Sequence, residues 1–367
     1  MSNHVSQPNI KFSQSIGREF DGTLKKRVRD YFKDNNISKY ANFNMVFKTV
    51  FMISLYLVPF ILMLTGVITN IWLITLCWII MGVAMAGIGM SVMHDANHGA
   101  YSKNETVNML VGRVIGLIGG FAANWKIQHN ILHHSYTNVD GYDEDISAPI
   151  SWLRFSPNTA HKKGHKFQYL YAWFFYGFMT ISWMTLKDFV QLSRYKKNGL
   201  TETQSKKFYP LLIELIINKI IYYSVFIVLP IILIDISWWY FPIFIFIMHF
   251  VAGFILAIVF QLAHVVPEAS FVLPDEKNAI DNNWAIHQLQ TTVNFAPKSH
   301  LLYWFVGGLN FQVEHHLFPN ICHVHYKKIS QIVKDTAKEF GIPYYSEPTF
   351  ASALASHTRM LKQLGKG

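Results

Sequence analysis

Apolar and polar residues are segregated along this chain into long blocks. Residues 46–69 form a first apolar block long enough to cross a bilayer as a helix, with Pro59 inside it, a position that membrane helices tolerate better than soluble ones. Residues 71–93 form a second, in which Gly82, Ala84, Ala86, Gly87 and Gly89 supply the small side chains that let helices approach closely. A third covers about 216–236, with Lys219 close enough to its start to snorkel toward water. A fourth covers about 238–264 and opens on Trp238-Trp239-Tyr240, a belt suited to the membrane–water boundary. Between the two pairs, a polar stretch runs from His94 to about Tyr209. Its two apolar patches, 107–123 and 169–190, are interrupted by glycine or end in charge, and read as interfacial or half-buried helices. The pattern predicts an all-α integral membrane protein with four transmembrane helices. Residues 1–45 form an N-terminal segment, 46–344 the membrane domain and 345–367 a C-terminal tail. No repeat or low-complexity linker marks a second unit.

Composition supports membrane spans. Of the 367 residues 51% are hydrophobic, too many for a typical soluble protein of this size. Residues 1–30 are polar and include Lys25, Lys26, Arg27 and Arg29, which predicts no cleaved signal peptide. The two cysteines, Cys77 and Cys322, are too few and too separated for a disulfide framework. The short connections at 66–70 and 235–237 carry no Lys or Arg. Apart from Lys48 at a span's edge and Lys219, all 32 basic residues fall in the N-terminal segment, the 94–210 region and the part after 265. The positive-inside rule then places both termini and the long polar regions in the cytoplasm. A net charge of +10 spread along span flanks argues against nucleic acid and for a lipid surface and an acidic protein partner.

The chemistry lies in three histidine clusters: His94-Asp-Ala-Asn-His98, His129-Asn-Ile-Leu-His133-His134 and Gln312-Val-Glu-His315-His316. On a helix, His94 and His98 stand about 6 Å apart along the axis, and neighbours such as His133 and His134 point about 100° apart, so each pair can face two ions. Seven such side chains exceed the needs of one ion and suggest two. The predicted topology delivers all three clusters to one side of the bilayer. His264, at the cytosolic end of the fourth block, is a further candidate ligand. Asp95, Asp143, Asp145 and Glu314 are candidates to receive free ring N–H groups, and Asn294 to contact a metal-bound water. Neutral nitrogen ligands favour iron or zinc over magnesium or calcium, and spacing does not separate the two. His161-Lys-Lys-Gly-His165 shares the spacing but reads as a solvated loop, and Cys322-His323-Val-His325 lacks a second cysteine pair to complete a zinc site. His249 lies about 22 Å of helical rise from His264, too far to share its metal. No dinucleotide fingerprint, P-loop or nucleophile elbow occurs.

These clusters and their flanks, Trp125-Lys-Ile-Gln-His129, Thr137-Asn138 with Asp140, Asp143 and Asp145, and Gly308-Leu-Asn-Phe-Gln312 running on to Pro319, resemble the membrane fatty acid desaturases, specifically the front-end group. The resemblance runs from about Phe47 to Tyr344. It implies a cytosolic helical cap holding a histidine-rich di-iron site, with His94, His98, His129, His133, His134, His264, His315 and His316 as ligands. Gln312 stands where a histidine is found in related proteins, as a weak ligand or a neighbour of one. Dioxygen is the implied co-substrate, and an acyl-CoA or acyl lipid the implied substrate. The implied product is a cis double bond between an existing one and the carboxyl end. Many eukaryotic members carry a fused cytochrome b5 domain with a His-Pro-Gly-Gly haem motif. Residues 1–45 hold none, so the expected electron donor is a separate ferredoxin or free cytochrome b5 with its reductase. A hydroxylase, epoxygenase or conjugase on the same scaffold is the nearest rival. A transporter or metal sensor is a remote one, since transport favours ligands near the bilayer midplane.

Overall fold

The structure is a computed structural model that describes residues 10–13, 17–148 and 150–366; the remainder of the predicted N-terminal segment lies outside them. Among these residues, four helices are long and apolar enough to cross a membrane: α2 (Phe43–Leu64), α3 (Ile71–Asn97), α9 (Phe208–Leu233) and α10 (Tyr240–His264). The first two begin at asparagines whose side chains cap free backbone N–H groups. Asn42 accepts from Met45 N at 3.1 Å and Asn70 from Trp72 N at 3.0 Å. α3 and α10 pack along one another, and Gly82 makes this possible, because a β-carbon there would lie 2.6 Å from the Met248 carbonyl oxygen. The side chains turned away from this core, Val58, Ile61, Trp72, Ile217 and Ile232 among them, are exposed and apolar, as lipid contact requires.

α3 runs four residues past the predicted block, so His94 extends from a span without a break. A π-helical turn, Ile88–Val92, precedes it and rotates the helix face on which His94 and His98 emerge. The 107–123 patch belongs to two helices, α4 (Glu105–Ile118) and α5 (Ala122–His133), bent by 106° across a two-glycine corner. Two residues of α9 hold that corner. Asn218 Nδ2 donates to Gly120 O at 2.9 Å and Lys219 Nζ to Gly119 O at 2.7 Å. Further on come α6 (Gln168–Tyr176), α7 (Met179–Ser182) and α8 (Asp188–Lys197), with exposed Phe167, Leu170, Phe174, Leu186 and Val190.

Two charged side chains depart from the sequence reading. Lys219 does not snorkel: it is 3% exposed and pairs with Asp188 Oδ2 at 2.7 Å. α9 starts at Phe208 and not near 216, which places Lys219 in the helix body. Lys48 is also interior, at 1% exposure, with Nζ 2.7 Å from His323 Nε2.

The cap is built from the chain's ends and its last third. α1 (Arg18–Asp34) lays Phe20, Leu24 and Val28 on Ile329, Val333 and Ala337 of α14 (Tyr326–Glu339). α11 (Trp284–Thr291), α12 (His300–Phe305) and α13 (Gln312–Leu317) lie between. The segment expected as a tail is folded in. Ser346–Glu347 pairs in parallel with Asn294–Phe295, and α15 (Phe350–Leu364) docks through His357, whose Nδ1 and Nε2 each lie 2.7 Å from Val265 O and Tyr176 Oη respectively. The 161–165 loop is tied to this end too. His165 is 2% exposed, with Nε2 3.1 Å from Ser151 O, so it is no solvated loop residue.

Removing one partner of a buried ion pair strands the other charge. Lys219→Met is expected to cost about 3–5 kcal/mol, and Lys219→Met with Asp188→Leu to recover most of it. Thermal unfolding of detergent-solubilised protein measures both, and an unchanged midpoint in the single variant would show that the pair does not support the glycine corner.

Candidate metal centre

Eight histidines from four segments meet in one buried cluster where the ends of α3, α5 and α10 face α13. His94 and His98 come from the end of α3, and His129, His133 and His134 from the π-helical end of α5. His264 is the last residue of α10, and His315 and His316 lie on α13. Ring nitrogens of His94, His98, His129 and His315 lie within 4.8 Å of one another, as do those of His133, His264 and His316. His134 sits between the two sets, grouped with His315 and His316. The adjacent pair on α13 is therefore divided, with His315 in one set and His316 in the other.

Hydrogen bonds around the rim hold the outer nitrogens of His129, His133, His315 and His316. His129 Nδ1 lies 2.7 Å from Asp145 Oδ2, and His133 Nδ1 lies 2.9 Å from Asp143 Oδ2. Burial pushes the Asp145 carboxyl up, but the hydrogen bond with His129 and the electrostatic pull of His133, His129 and Lys187 together outweigh it and hold the group well below the carboxylate range. An ionised carboxylate only accepts, so the ring proton sits on Nδ1 and the Nε2 lone pair points into the cluster. His316 Nδ1 is held by Gln288 Oε1 at 2.8 Å and His315 Nδ1 by Tyr326 Oη at 3.2 Å. Burial pushes His129 down to about 4, and drives His134, His315 and His316 well below the ordinary imidazole value. These rings are neutral at physiological pH.

Neutral rings arranged in this way leave nitrogens facing nitrogens. His129 Nε2 is 3.3 Å from both His94 Nε2 and His134 Nε2, and His134 Nε2 is 3.0 Å from His315 Nε2. His98 Nε2, His133 Nε2, His316 Nε2 and both nitrogens of His264 are buried with no hydrogen-bond partner. A buried polar atom without a partner costs about 1–3 kcal/mol. Two nitrogens bound at right angles to one metal, each at roughly 2.1 Å, would sit roughly 3 Å apart. The residues fit metal cations, and the donor set is nitrogen without bridging carboxylate.

The remaining candidates divide. Gln312 is 3% exposed, its Oε1 has no partner, and its side chain lines a cavity shared with His94 and His129. The walls of that cavity are otherwise largely apolar, with Met90, Ile115, Phe121, Met179, Leu256 and Phe260 among them. Asn294 has its amide committed within the chain. Its Nδ2 donates to Glu314 at 2.8 Å and Tyr344 Oη at 2.7 Å, and its Oδ1 accepts from Val313 N at 2.9 Å. Glu314 is thereby turned away from the histidines, and burial pushes its carboxyl up to about 8. Asp95 serves His323, whose Nδ1 is 2.8 Å away, while its closest approach to His94 Nδ1 is 3.8 Å. Gln288 and Tyr326 are rim partners with no short-range sequence signal. Asn138 is another: it adopts φ 57° and donates from Nδ2 to His264 O at 2.9 Å, tying the second cluster to the end of α10.

Comparison with known proteins shows the family of this chain. The family model described as fatty acid desaturase matches residues 69–348. An sn-1 linoleoyl-lipid 6-desaturase of Arthrospira platensis is 36% identical over 359 residues, covering 97% of this chain and 94% of that protein. One of the same description from Synechocystis is 36% identical over 373 residues, covering 99% of each. An acyl-lipid (8-3)-desaturase of Physcomitrium patens is 33% identical over 365 residues, covering 97% of this chain and 74% of that protein. With apolar helices to cross a membrane and a histidine cluster at their ends, the chain belongs to the fatty acid desaturase family, as a front-end, membrane-bound oxidoreductase acting on fatty acyl chains.

Proposed function

We propose that the cluster holds two iron ions, one bound by His94, His98, His129 and His315 and the other by His133, His264 and His316, with His134 between them. The observation that carries this reading is the set of buried, partnerless ring nitrogens converging from both groups. When bound, the irons supply the dioxygen chemistry needed to remove hydrogen from an unactivated methylene. The chain's own residues do the rest. Asp145, Asp143, Gln288 and Tyr326 fix ring tautomer and orientation. The apolar cavity beside His94, His129 and Gln312 seats the acyl chain and keeps water from the reacting carbons. Gln312 occupies the wall between that chain and the histidines.

The substrate is an acyl lipid, as the names of the cyanobacterial and moss relatives suggest, and the new cis bond forms between an existing one and its carboxyl end. Termini, cap and histidines face the cytoplasm, a reading supported by the confinement of nearly all 32 basic residues to the segments outside the short loops. Electrons arrive from a small acidic carrier, a ferredoxin or free cytochrome b5, drawn to that basic face.

Active protein is expected to contain about two irons per chain by metal analysis; stoichiometric zinc, or a single metal, would overturn the di-iron reading. His264→Ala is expected to lose turnover by more than the roughly 10–100-fold typical of a ligand's outer partner, together with part of the iron. Near-normal activity with full iron would remove His264 from the ligand set. Asp143→Asn and Asp145→Asn are expected to fall within that roughly 10–100-fold range, measured as turnover per bound iron and as iron lost to a chelator. A loss no larger than twofold would show that the carboxylates do not orient the rings.

NADPH alone is expected to drive no turnover, and a reductase with an acidic carrier to restore it. At limiting carrier, the rate is expected to fall as salt shortens the Debye length from about 30 to about 8 Å. A rate indifferent to salt would place docking elsewhere than on exposed charge.

A further inference from the structure

Most polar groups lining the cavity beside the histidines are committed within the chain. Asp188 is paired with Lys219, and Asp145 accepts from Gln128 while holding His129. Both are carboxylates, which repel a further oxygen. Gln191 Nε2 directs its N–H groups at Gln128 Oε1, 2.6 Å away, and Tyr195 Oη, 3.1 Å away. The Gln312 amide and the indoles of Trp125 and Trp183 also reach the cavity, but no hydrogen bond fixes where their N–H groups point.

Gln128 differs from all of these. Its Oε1 takes the bond from Gln191, and its Nε2 donates to Asp145 Oδ1. The amide cannot be reversed, because a flip would set oxygen against carboxylate and N–H against N–H. Nε2 carries two protons. Asp145 takes one, and no described residue takes the other. Gln128 itself lines the cavity, one residue before His129. The support behind it is continuous: Tyr195 Oη donates to Glu144 Oε2 at 2.7 Å, and Arg194 closes on the same oxygen at 2.7 Å.

A front-end enzyme places its double bond near the carboxyl end, so the acyl carbonyl must be held only a few carbons from the oxidising centre. An ester or thioester carbonyl is an acceptor that needs one donor. We propose that the free Nε2–H of Gln128 donates to the acyl carbonyl oxygen of the substrate and thereby sets where the new bond forms. Gln191 is the positioning residue that aims it. This inference rests on the desaturase reading above.

The test uses the full-length protein with its electron carrier and one unsaturated acyl chain in two forms, as a glycerolipid in vesicles and as a CoA thioester. The form that wild type turns over identifies ester or thioester as the natural acceptor. With that form, Gln128→Met is expected to raise KM roughly tenfold, the order of one lost hydrogen bond, and to give products with the double bond at more than one position, at unchanged iron content. Gln191→Leu, which leaves Gln128 its donor but frees its aim, is expected to spread bond positions with a smaller change in KM. It serves as the deciding variant if Gln128→Met fails to fold. Wild-type bond positions and KM in the informative variant would overturn the proposal. So would turnover lost only in parallel with iron, since Gln128 would then act solely through Asp145 and His129. If wild type desaturates neither form, the failure lies in the underlying desaturase reading.

Discussion

Ring nitrogens that face one another at 3.0–3.3 Å inside a buried cluster set the terms for the rest of the fold. In His129 and His315 the opposite nitrogen is held at the rim, and inward lone pairs repel at that distance unless a cation lies among them. The cluster therefore has to be held together from outside, and its rim is where the chain spends its polar groups. Asp145, Asp143, Gln288 and Tyr326 are each set against an outer nitrogen, and each stands on a different stretch of chain from the ring it holds or across a turn from it. Low local dielectric strengthens these bonds and raises the cost of losing one partner.

The bilayer imposes the complementary constraint. Spans must satisfy their backbone internally, and here the histidines stand at their ends: α3 carries His94 in its last turn with His98 just beyond, and α10 ends on His264. A π turn before His94 and a π-helical stretch through His129 and His133 rotate the emerging faces without breaking either helix. Where a straight span would have passed, the glycine corner between α4 and α5 turns by 106° and opens space for the cavity. Buried lysine does the fastening. Lys219 holds a carbonyl of that corner and Asp188, while Lys48 reaches His323, which in turn holds Asp95 beside His94. Close approach is needed there too: Gly307, at φ 62°, lies where a β-carbon would meet Met90 O at 2.6 Å.

The spans and the histidines were legible because each rests on a local signal, hydropathy over about 20 residues in one case and helical spacing in the other. His264 could be singled out because it sits where a span must end. What escaped were pairings across hundreds of residues. Lys219 is near enough to a helix end to suggest snorkelling, and only the fold brings Asp188 to meet it. Glu314 stands next to His315 in sequence, yet it bonds to Asn294 and Tyr344, fixing α13 from behind. Proximity in sequence to a ligand shows that a residue is near the site, not which way its side chain turns. The last segment depends on distant pairings in the same way: α15 buries His357, Met360 and Leu361 against elements far earlier in the chain.

The two carboxylates that do hold rings show how closely site and cavity are joined. Asp143 accepts from Asn138 N at 2.9 Å as well as facing His133, and Asn138 in turn holds the end of α10. Asp145 faces His129 with one oxygen and Gln128 with the other, and Gln128 leads through Gln191 to α8 on the far wall of the cavity. One carboxylate thus ties its histidine to the membrane helix and the other ties its histidine to the substrate's wall. The hydrogen-bond network that aims His129 also lines the cavity. This coupling follows from a second cluster that carries two aspartates in one turn of loop, each assigned a different neighbour.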